Sequence, residues 1–270
     1  MERASLDGLE LEYELKGSGE PVVLIHWGLC AKWAEPLMGE PALADRYALL
    51  RYHRAGFAGS DRVDGPLSMA THAEHCRHLM QLLGIEQAHV AGHSSSALIA
   101  LQLALDFPEA VRSLVLMEPA RPIPPTDEQA RFISEFVAPA LGRYAAGDRA
   151  GAVDTFAQGV FGPAYHEALE QGLPGAVEHA IADADAFFAQ ELPALQQWTF
   201  SSAEAGRIAQ PVLAVLGENT VPTFPPRMEL LVSWLPRCES FELPGASHLL
   251  HLQNAQGLAE AMASFFARTR

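Results

Sequence analysis

The chain has 270 residues, of which 49% are hydrophobic and 19% are charged, so it is a globular protein, because a disordered chain would be poorer in apolar side chains. Its 18 Lys and Arg against 33 Asp and Glu give a net charge of −15, which argues against nucleic acids and membranes as partners, since both favour a basic protein face. The length fits one large α/β domain with an insertion, or two small domains.

The N-terminal segment Met1–Asp7 contains no apolar core of signal-peptide length. No segment approaches the roughly 18 to 20 apolar residues that span a bilayer. The cysteines Cys30, Cys76 and Cys238 are odd in number and far apart, so they predict neither a disulfide framework nor a zinc site. We therefore expect a cytoplasmic protein and leave a homodimer open.

Short apolar runs, typical of β-strands, recur along the chain. Residues 9–15 alternate between apolar and polar side chains, as in a half-exposed strand. The further runs are those expected of strands buried in a sheet, and they are 22–25, 47–52, 88–91, 113–117, 211–216 and 240–243. Helical patterns occupy 68–83, 97–106 and 254–267, with Asn254 as a predicted N-cap. Strands that alternate with helices predict a parallel sheet covered on both faces.

This alternation stops between Pro119 and Gln210. The segment 119–125 is rich in proline and predicts an extended linker. Helical segments rich in Ala, Glu and Phe follow, without a strand pattern until Pro211. We therefore predict a core domain of residues 1–120 and 208–270, with residues 121–207 as a helical cap over one edge of the sheet.

The segment Val90–Leu98, V-A-G-H-S-S-S-A-L, carries the strongest chemical signal. A buried strand ends there and a helix begins at once, which is the setting of the nucleophile elbow G-x-S-x-G. The elbow holds its serine, here Ser94, in a strained conformation, at a helix N-terminus that favours developing negative charge. Ser96 replaces the second glycine but is still small. A serine-rich helix cap is the alternative interpretation.

A serine nucleophile needs a base to accept its proton and a third group to orient that base. The best candidate base is His248, in the turn between the last predicted strand and the last predicted helix. His251 is the second candidate. A surface position without a catalytic role is the alternative for either histidine.

With these motifs, the chain resembles the α/β-hydrolases over nearly its whole length. The family's H-G turn has its counterpart in His26–Leu29, its R-G-x-G-x-S turn in Arg54–Asp61, and its P-G-x-x-H turn in Pro244–His248. The resemblance implies an α/β-hydrolase fold, a mostly parallel, doubly wound sheet with a helical cap insertion. It also implies an oxyanion hole formed by the backbone amides of Gly28 and Ser95.

The acid is where the chain departs from most relatives. Their acid lies in a G-x-x-D turn after the strand equivalent to residues 212–216, and this chain has Thr220 at that position. A threonine cannot stabilise an imidazolium by charge. Glu118, by contrast, directly follows an apolar strand, where a carboxylate needs a partner.

Some haloalkane dehalogenases and the zearalenone-type lactone hydrolases place a glutamate at the end of that strand. The latter combine it with a serine nucleophile in a G-x-S-S-G elbow, which the elbow of this chain resembles. We therefore predict a triad of Ser94, Glu118 and His248, and keep Glu218 as the alternative acid.

The nucleophile indicates the reaction. Haloalkane dehalogenases and epoxide hydrolases use an aspartate there for displacement at a saturated carbon, whereas a serine suits acyl chemistry at a carbonyl. We predict a serine hydrolase that cleaves a carboxylic ester or lactone of a hydrophobic small molecule without a cofactor, with zearalenone-like lactones as a candidate by resemblance. Carbon–carbon bond hydrolysis or cofactor-free peroxidation on the same triad remains open, as does a non-catalytic receptor, which Thr220 and Ser96 favour.

Substrate pockets are mostly apolar with a few polar groups. We predict substrate contacts at Trp27, Leu29 and Trp198, the last because its indole N–H is suited to a polar substrate atom. Three histidines at a spacing of three, His72, His75 and His78, share a predicted helix face but lack a zinc-site pattern. We therefore predict no metal.

Overall fold

A computed structural model describes residues 1–120 and 127–269. In this part of the chain, eight strands form one sheet in the order β1-β2-β4-β3-β5-β6-β7-β8. The strands are β1 Glu2–Leu6, β2 Leu9–Gly17, β3 Glu20–Ile25, β4 Tyr47–Tyr52, β5 Ala88–His93, β6 Val111–Met117, β7 Val212–Gly217 and β8 Cys238–Leu243. The pairs β1–β2 and β2–β4 are antiparallel and the other pairs are parallel.

Helices flank this sheet. Those outside the segment between β6 and β7 are α1 Glu35–Met38, α2 Pro41–Ala44, α3 Met69–Leu82, α4 Ser95–Asp106, α12 Phe224–Trp234, α13 Leu250–Gln253 and α14 Ala255–Arg268. Those between β6 and β7 are α5 Asp127–Phe132, α6 Ala138–Ala145, α7 Arg149–Phe161, α8 Tyr165–Gly172, α9 Ala176–Ala182, α10 Leu192–Gln197 and α11 Ser202–Ala205. Two π-helical segments, Ile133–Val137 and Ala186–Glu191, and a 3-10 turn, Pro108–Ala110, complete the set.

The central strands of the sheet are buried on both faces, as the sequence predicts, whereas only Leu243 is buried in β8, which the sequence also predicts as a buried strand but which lies at the sheet edge. Along β3, Val22 and Leu24 belong to one buried apolar cluster, whereas Val23 and Ile25 belong to another. All four side chains are fully buried. Since successive side chains of a strand point to opposite faces, these clusters are the two cores that the flanking helices cover. The predicted α/β fold class is confirmed.

Side-chain caps lie at the starts of two of the predicted helices. The Ser68 hydroxyl accepts a hydrogen bond from the Thr71 amide at the start of α3, at 3.0 Å. The Asn254 side chain accepts one from the Gly257 amide at the start of α14, at 2.9 Å. Each cap satisfies an amide that has no partner within the first helical turn.

Several elements escaped the sequence analysis, among them β1, α12 and the short helices α1, α2 and α13. Strand β1 lies at the edge of the sheet, and only Leu6 of its residues is buried, so its sequence lacks an apolar pattern. Helix α12 begins with Phe224, Pro225 and Pro226. The prolines mark a break in a sequence, although the first helical turn tolerates them because its amides need no partner there.

Helices α5 to α11 lie between β6 and β7, where the sequence predicts an insertion. The predicted extended linker at 119–125 lies mostly outside the described residues, and the domain boundaries stay a prediction. Apolar side chains of the insertion, such as Phe156 and Phe187, share a buried cluster with Trp27 and Leu29 of the core. Among the described residues, no helix combines the length and apolar character required to cross a bilayer.

Candidate active site

Ser94 lies in the tight turn between β5 and α4. Its φ of 53° and ψ of −116° fall outside the regions that a non-glycine residue favours. The turn is tight because a Cβ on Gly92 would stand 2.5 Å from the Ser96 carbonyl oxygen. The Ser94 amide donates to the Met117 carbonyl at 2.9 Å, so the end of β6 holds the elbow in place.

Ser96, which stands where the motif has a glycine, has hydrogen-bond partners for its hydroxyl. The hydroxyl donates to the Ile25 carbonyl on β3 at 2.6 Å and accepts from the His93 amide at 2.8 Å. A buried hydroxyl costs free energy only when it lacks partners. The departure from glycine is therefore compatible with the elbow, and it ties the elbow to β3.

Glu118 and His248 form a buried hydrogen-bonded pair. One Glu118 carboxylate oxygen bonds to His248 Nδ1, and both side chains are completely buried. The other oxygen accepts from the Gly217 amide at 2.8 Å. Glu118 has a φ of 40°, and its amide donates to the Val215 carbonyl. The end of β6 thus carries a carboxylate with partners from β7 and from the turn after β8.

The second ring nitrogen of His248, Nε2, is buried and has no hydrogen-bond partner within residues 1–120 and 127–269. Ser94 makes no hydrogen bond to this nitrogen in the described structure. Phe224 stacks on the imidazole, with ring centroids 4.2 Å apart and planes at 13°. The imidazole is therefore held by the carboxylate on one edge and by an aromatic ring on one face.

The alternative acid, Glu218, has a different partner. It is exposed, and its carboxylate accepts from the Gly245 amide at 2.7 Å. The geometry therefore favours Glu118 as the partner of His248, while the triad itself stays a prediction.

The two predicted oxyanion amides lie close together. The Gly28 amide donates to the Ser95 hydroxyl at 3.4 Å, so the turn after β3 meets the start of α4. His26 supports this turn, since its Nδ1 donates to the Trp27 carbonyl at 2.9 Å while its Nε2 accepts from the Arg54 amide at 2.9 Å. Burial holds the pKa of His26 well below its ordinary value, which fits a neutral ring that accepts at one nitrogen.

An ion pair between Arg54 and Glu191 joins this turn to the insertion. The two side chains are each 1% exposed and their charged atoms lie 2.5 Å apart, while Arg54 also donates to the His26 carbonyl at 3.0 Å. A Cβ on Gly28 would stand 2.7 Å from the Glu191 carboxylate oxygens. Glycine at this position is therefore a requirement of the packing. The sequence analysis missed Glu191, because nothing in its local pattern indicates a partner so far along the chain.

Two further histidines lie beside the pair. The His93 ring centroid is 4.4 Å from that of His248 and 5.8 Å from that of His251, and Trp33 stacks on His93 at 5.9 Å. Burial, followed by the neighbouring His248, lowers the pKa of His251 to about 3 and that of His93 well below its ordinary value. His251, the second candidate base, is thus a buried neutral ring without a carboxylate partner among the described residues.

His93, Glu118 and His248 each place one ligand atom within 4.8 Å of the others. The distances between these three ligand atoms are short enough for one metal ion to contact all of them. The hydrogen bond between Glu118 and His248, however, gives the same cluster a second role, that of orienting a base.

Ser94 and Ser95 line a pocket with mostly apolar walls. Its aromatic wall residues are Trp27, Phe132, Phe156, Phe187 and Phe224, and its other polar wall residues are Gln129, Gln196, Thr223 and Arg227. Trp27, a predicted substrate contact, therefore lies at the pocket beside the predicted nucleophile.

The other two predicted substrate contacts lie elsewhere. Leu29 lines a smaller apolar cavity with Trp27, Phe161 and Tyr165. The indole N–H of Trp198 donates to Gln102 on α4 at 2.8 Å, and Trp198 is not among the described residues of the Ser94 pocket. The donor that suggested a substrate contact thus has a protein acceptor, and the role of Trp198 stays a prediction.

Known proteins resemble this chain in sequence and fold. The family model described as alpha/beta hydrolase fold matches residues 21–255. A protein of Azorhizobium caulinodans named "Putative carbamate hydrolase RutD" is 38% identical over 109 residues, which are 40% of each chain. The matches thus span less than half the length of such curated relatives.

Two solved structures share the fold over almost the whole chain. One is the enol-lactonase from Burkholderia xenovorans LB400, with a TM-score of 0.78, 20% identity and coverage of 98% of this chain and 100% of the other. The other is a thermophilic esterase from Thermogutta terrifontis, with a TM-score of 0.75, 19% identity and coverage of 100% and 99%. With the family model spanning most of its length, the chain belongs to the alpha/beta hydrolase fold family.

Proposed function

We propose that this protein is a serine hydrolase that cleaves a carboxylic ester or lactone of a hydrophobic small molecule. The observation that carries the proposal is the buried hydrogen bond between Glu118 and His248 Nδ1, beside a strained elbow serine that lines an apolar pocket. A carboxylate on Nδ1 fixes the tautomer in which Nε2 accepts a proton. Without a base in that tautomer, a serine hydroxyl is a weak nucleophile.

In the proposed mechanism, the Ser94 oxygen attacks the substrate carbonyl carbon while His248 Nε2 takes the hydroxyl proton. The tetrahedral oxyanion is held by the backbone amides of Gly28 and Ser95, and by the N-terminus of α4. The proton on His248 then passes to the leaving alcohol oxygen, and the C–O bond breaks to leave an acyl-enzyme. Water, deprotonated by His248, hydrolyses that ester and restores Ser94.

The similar proteins support this class of chemistry by their names, which include an esterase and an enol-lactonase. Those names describe the other proteins. A carbamate hydrolase, the name of the sequence relative, also acts at a carbonyl carbon. Zearalenone-like lactones remain a proposed substrate, based on the acid after β6 and the serines that follow Ser94.

Labelling with a fluorophosphonate tests the nucleophile. Intact-mass spectrometry should show one phosphonyl group on the wild type and none on Ser94→Ala. Ser95→Ala is the matched control, and it should stay labelled because its backbone amide is retained. If folded wild-type protein remains unlabelled, the non-catalytic receptor is the better interpretation.

Substrate assays test the reaction. p-Nitrophenyl esters, zearalenone and a vinylogous diketone should be compared with the wild type and Ser94→Ala. Hydrolysis of the esters or the lactone by the wild type alone supports the proposal. Turnover of the diketone without ester hydrolysis would assign carbon–carbon bond hydrolysis instead.

A further inference from the structure

The pocket that contains Ser94 also contains a buried cation. Arg227 lies on α12, lines the pocket and is 6% exposed. Every other described residue of the pocket wall is formally uncharged. A mostly apolar pocket with one guanidinium in its wall differs from a site built only for a neutral hydrophobic substrate.

Arg227 lies near the predicted catalytic base. Its guanidinium carbon is 5.2 Å from the centroid of the Phe224 ring, and that ring stacks on His248 at 4.2 Å. One aromatic ring therefore links the guanidinium to the imidazole. A substrate whose carbonyl carbon is at Ser94 would have its other groups within reach of Arg227 if they are a few bonds away.

The guanidinium is also oriented. One of its NH2 groups donates to the Gln129 side-chain oxygen at 2.8 Å, and Gln129 lines the same pocket. A guanidinium has several N–H donors in a rigid planar fork that matches a carboxylate. In a buried site, such a charge-assisted pair is stronger and less screened than on the surface.

We propose that Arg227 binds a carboxylate of the substrate, so that the preferred substrate is an ester or lactone that also bears an anionic group. This inference rests on the proposed function and specifies its substrate class. The net charge of −15 gives the molecule no general attraction for anions. A preference for an anionic substrate must therefore come from a local contact.

The test uses two probes that differ by one methyl group, p-nitrophenyl hydrogen glutarate and p-nitrophenyl methyl glutarate. The wild type should hydrolyse the anionic ester with a kcat/KM at least about tenfold higher than the neutral ester. Arg227→Gln should bring that ratio close to one, a loss of about tenfold or more, because the anionic ester loses its charged partner. Arg227→Lys should retain part of the preference, because it keeps the charge and loses the fork.

Arg207→Gln is the matched control, since it removes the same charge at an exposed position, and it should keep the wild-type ratio. Equal kcat/KM values for the two esters in the wild type would overturn the inference. So would an equal loss for both esters in a folded Arg227→Gln variant. The comparison of the two esters on the wild type decides the question even if the variant does not fold.

Binding separates this inference from the proposed function. Ser94→Ala should bind the anionic ester at least about tenfold more tightly than the neutral ester in a calorimetric titration, and Ser94→Ala with Arg227→Gln should lose the difference. Selective binding without turnover by the wild type would reject the hydrolase and retain the anion site. Turnover of both esters without selectivity would retain the hydrolase and reject the anion site. Equal or undetectable binding of the two esters would also count against the anion site.

Discussion

At the residue scale, the predicted acid is the most informative feature of the candidate site. Glu118, the acid that the sequence predicts, follows β6 and not β7. The Glu118 carboxylate still reaches His248, because β6 and β7 are neighbours in the sheet and the Gly217 amide of β7 donates a hydrogen bond to that carboxylate at 2.8 Å. Parallel strands end at the same edge of the sheet, which brings the end of β6 close to the turn that carries His248.

The first prediction concerns the replacement of each candidate acid by glutamine. Glu118→Gln should lower kcat for an ester by about 10³- to 10⁴-fold, because an amide holds the wrong histidine tautomer and cannot stabilise the imidazolium. Glu218→Gln is the control and should leave kcat unchanged, since its carboxylate accepts only from the exposed Gly245 amide among the described contacts. The measurement is steady-state kinetics on variants with wild-type circular dichroism. Loss of turnover in Glu218→Gln alone would transfer the role of acid to Glu218.

At the element scale, the π-helical segment Ala186–Glu191 connects the insertion to the turn after β3 that contains Gly28, a predicted oxyanion-hole residue. Glu191 pairs with Arg54, and Asp183, just before the segment, accepts from the Ala58 amide at 3.0 Å. Gln190 donates to the Val63 carbonyl at 2.6 Å. The segment and the preceding Asp183 thus contact the chain after β4 at three points, and the charges of Arg54 and Glu191 are buried there.

The second prediction concerns this buried pair. Glu191→Gln should lower the free energy of unfolding by about 3 to 5 kcal/mol, because Arg54 would keep a buried charge without its counter-ion. Asp185→Asn is the control at the nearest preceding acidic position, and it should cost much less stability, because water screens its exposed pair with Arg149. Urea denaturation measures both values. An equal loss of unfolding free energy in the two variants would show that the buried pair stabilises the fold no more than the exposed pair does.

At the scale of the whole molecule, buried histidines make stability depend on pH. His26, His93 and His251 all have a lowered pKa, with burial as the main cause. In the unfolded chain they bind protons below about pH 6.5, whereas in the folded chain they stay neutral. Unfolding therefore takes up protons in this range, and the free energy of unfolding falls as the pH falls.

The third prediction isolates His251, whose pKa of about 3 places its effect between pH 6.5 and 3. From pH 6 to 5, its burial should cost about 1.4 kcal/mol of stability per pH unit. His251→Asn should make the slope of stability against pH shallower by that amount. Urea denaturation at pH 8 serves as the reference, because the histidine is neutral there in both states and any difference is one of packing. Parallel slopes for the two proteins would contradict the prediction.

The sequence by itself determined the sheet strands and the elbow, because burial on both faces demands continuous apolar runs and a strand-to-helix turn demands small residues around Ser94. It also indicated Glu118, since a carboxylate directly after a buried strand needs a partner. Only the tertiary structure decided which histidine that carboxylate meets, that Glu191 lies against Gly28, that Trp198 donates to Gln102, and that Arg227 lines the pocket. These contacts join residues far apart in the chain, and no local pattern of polarity or spacing encodes a partner that folding brings from another element.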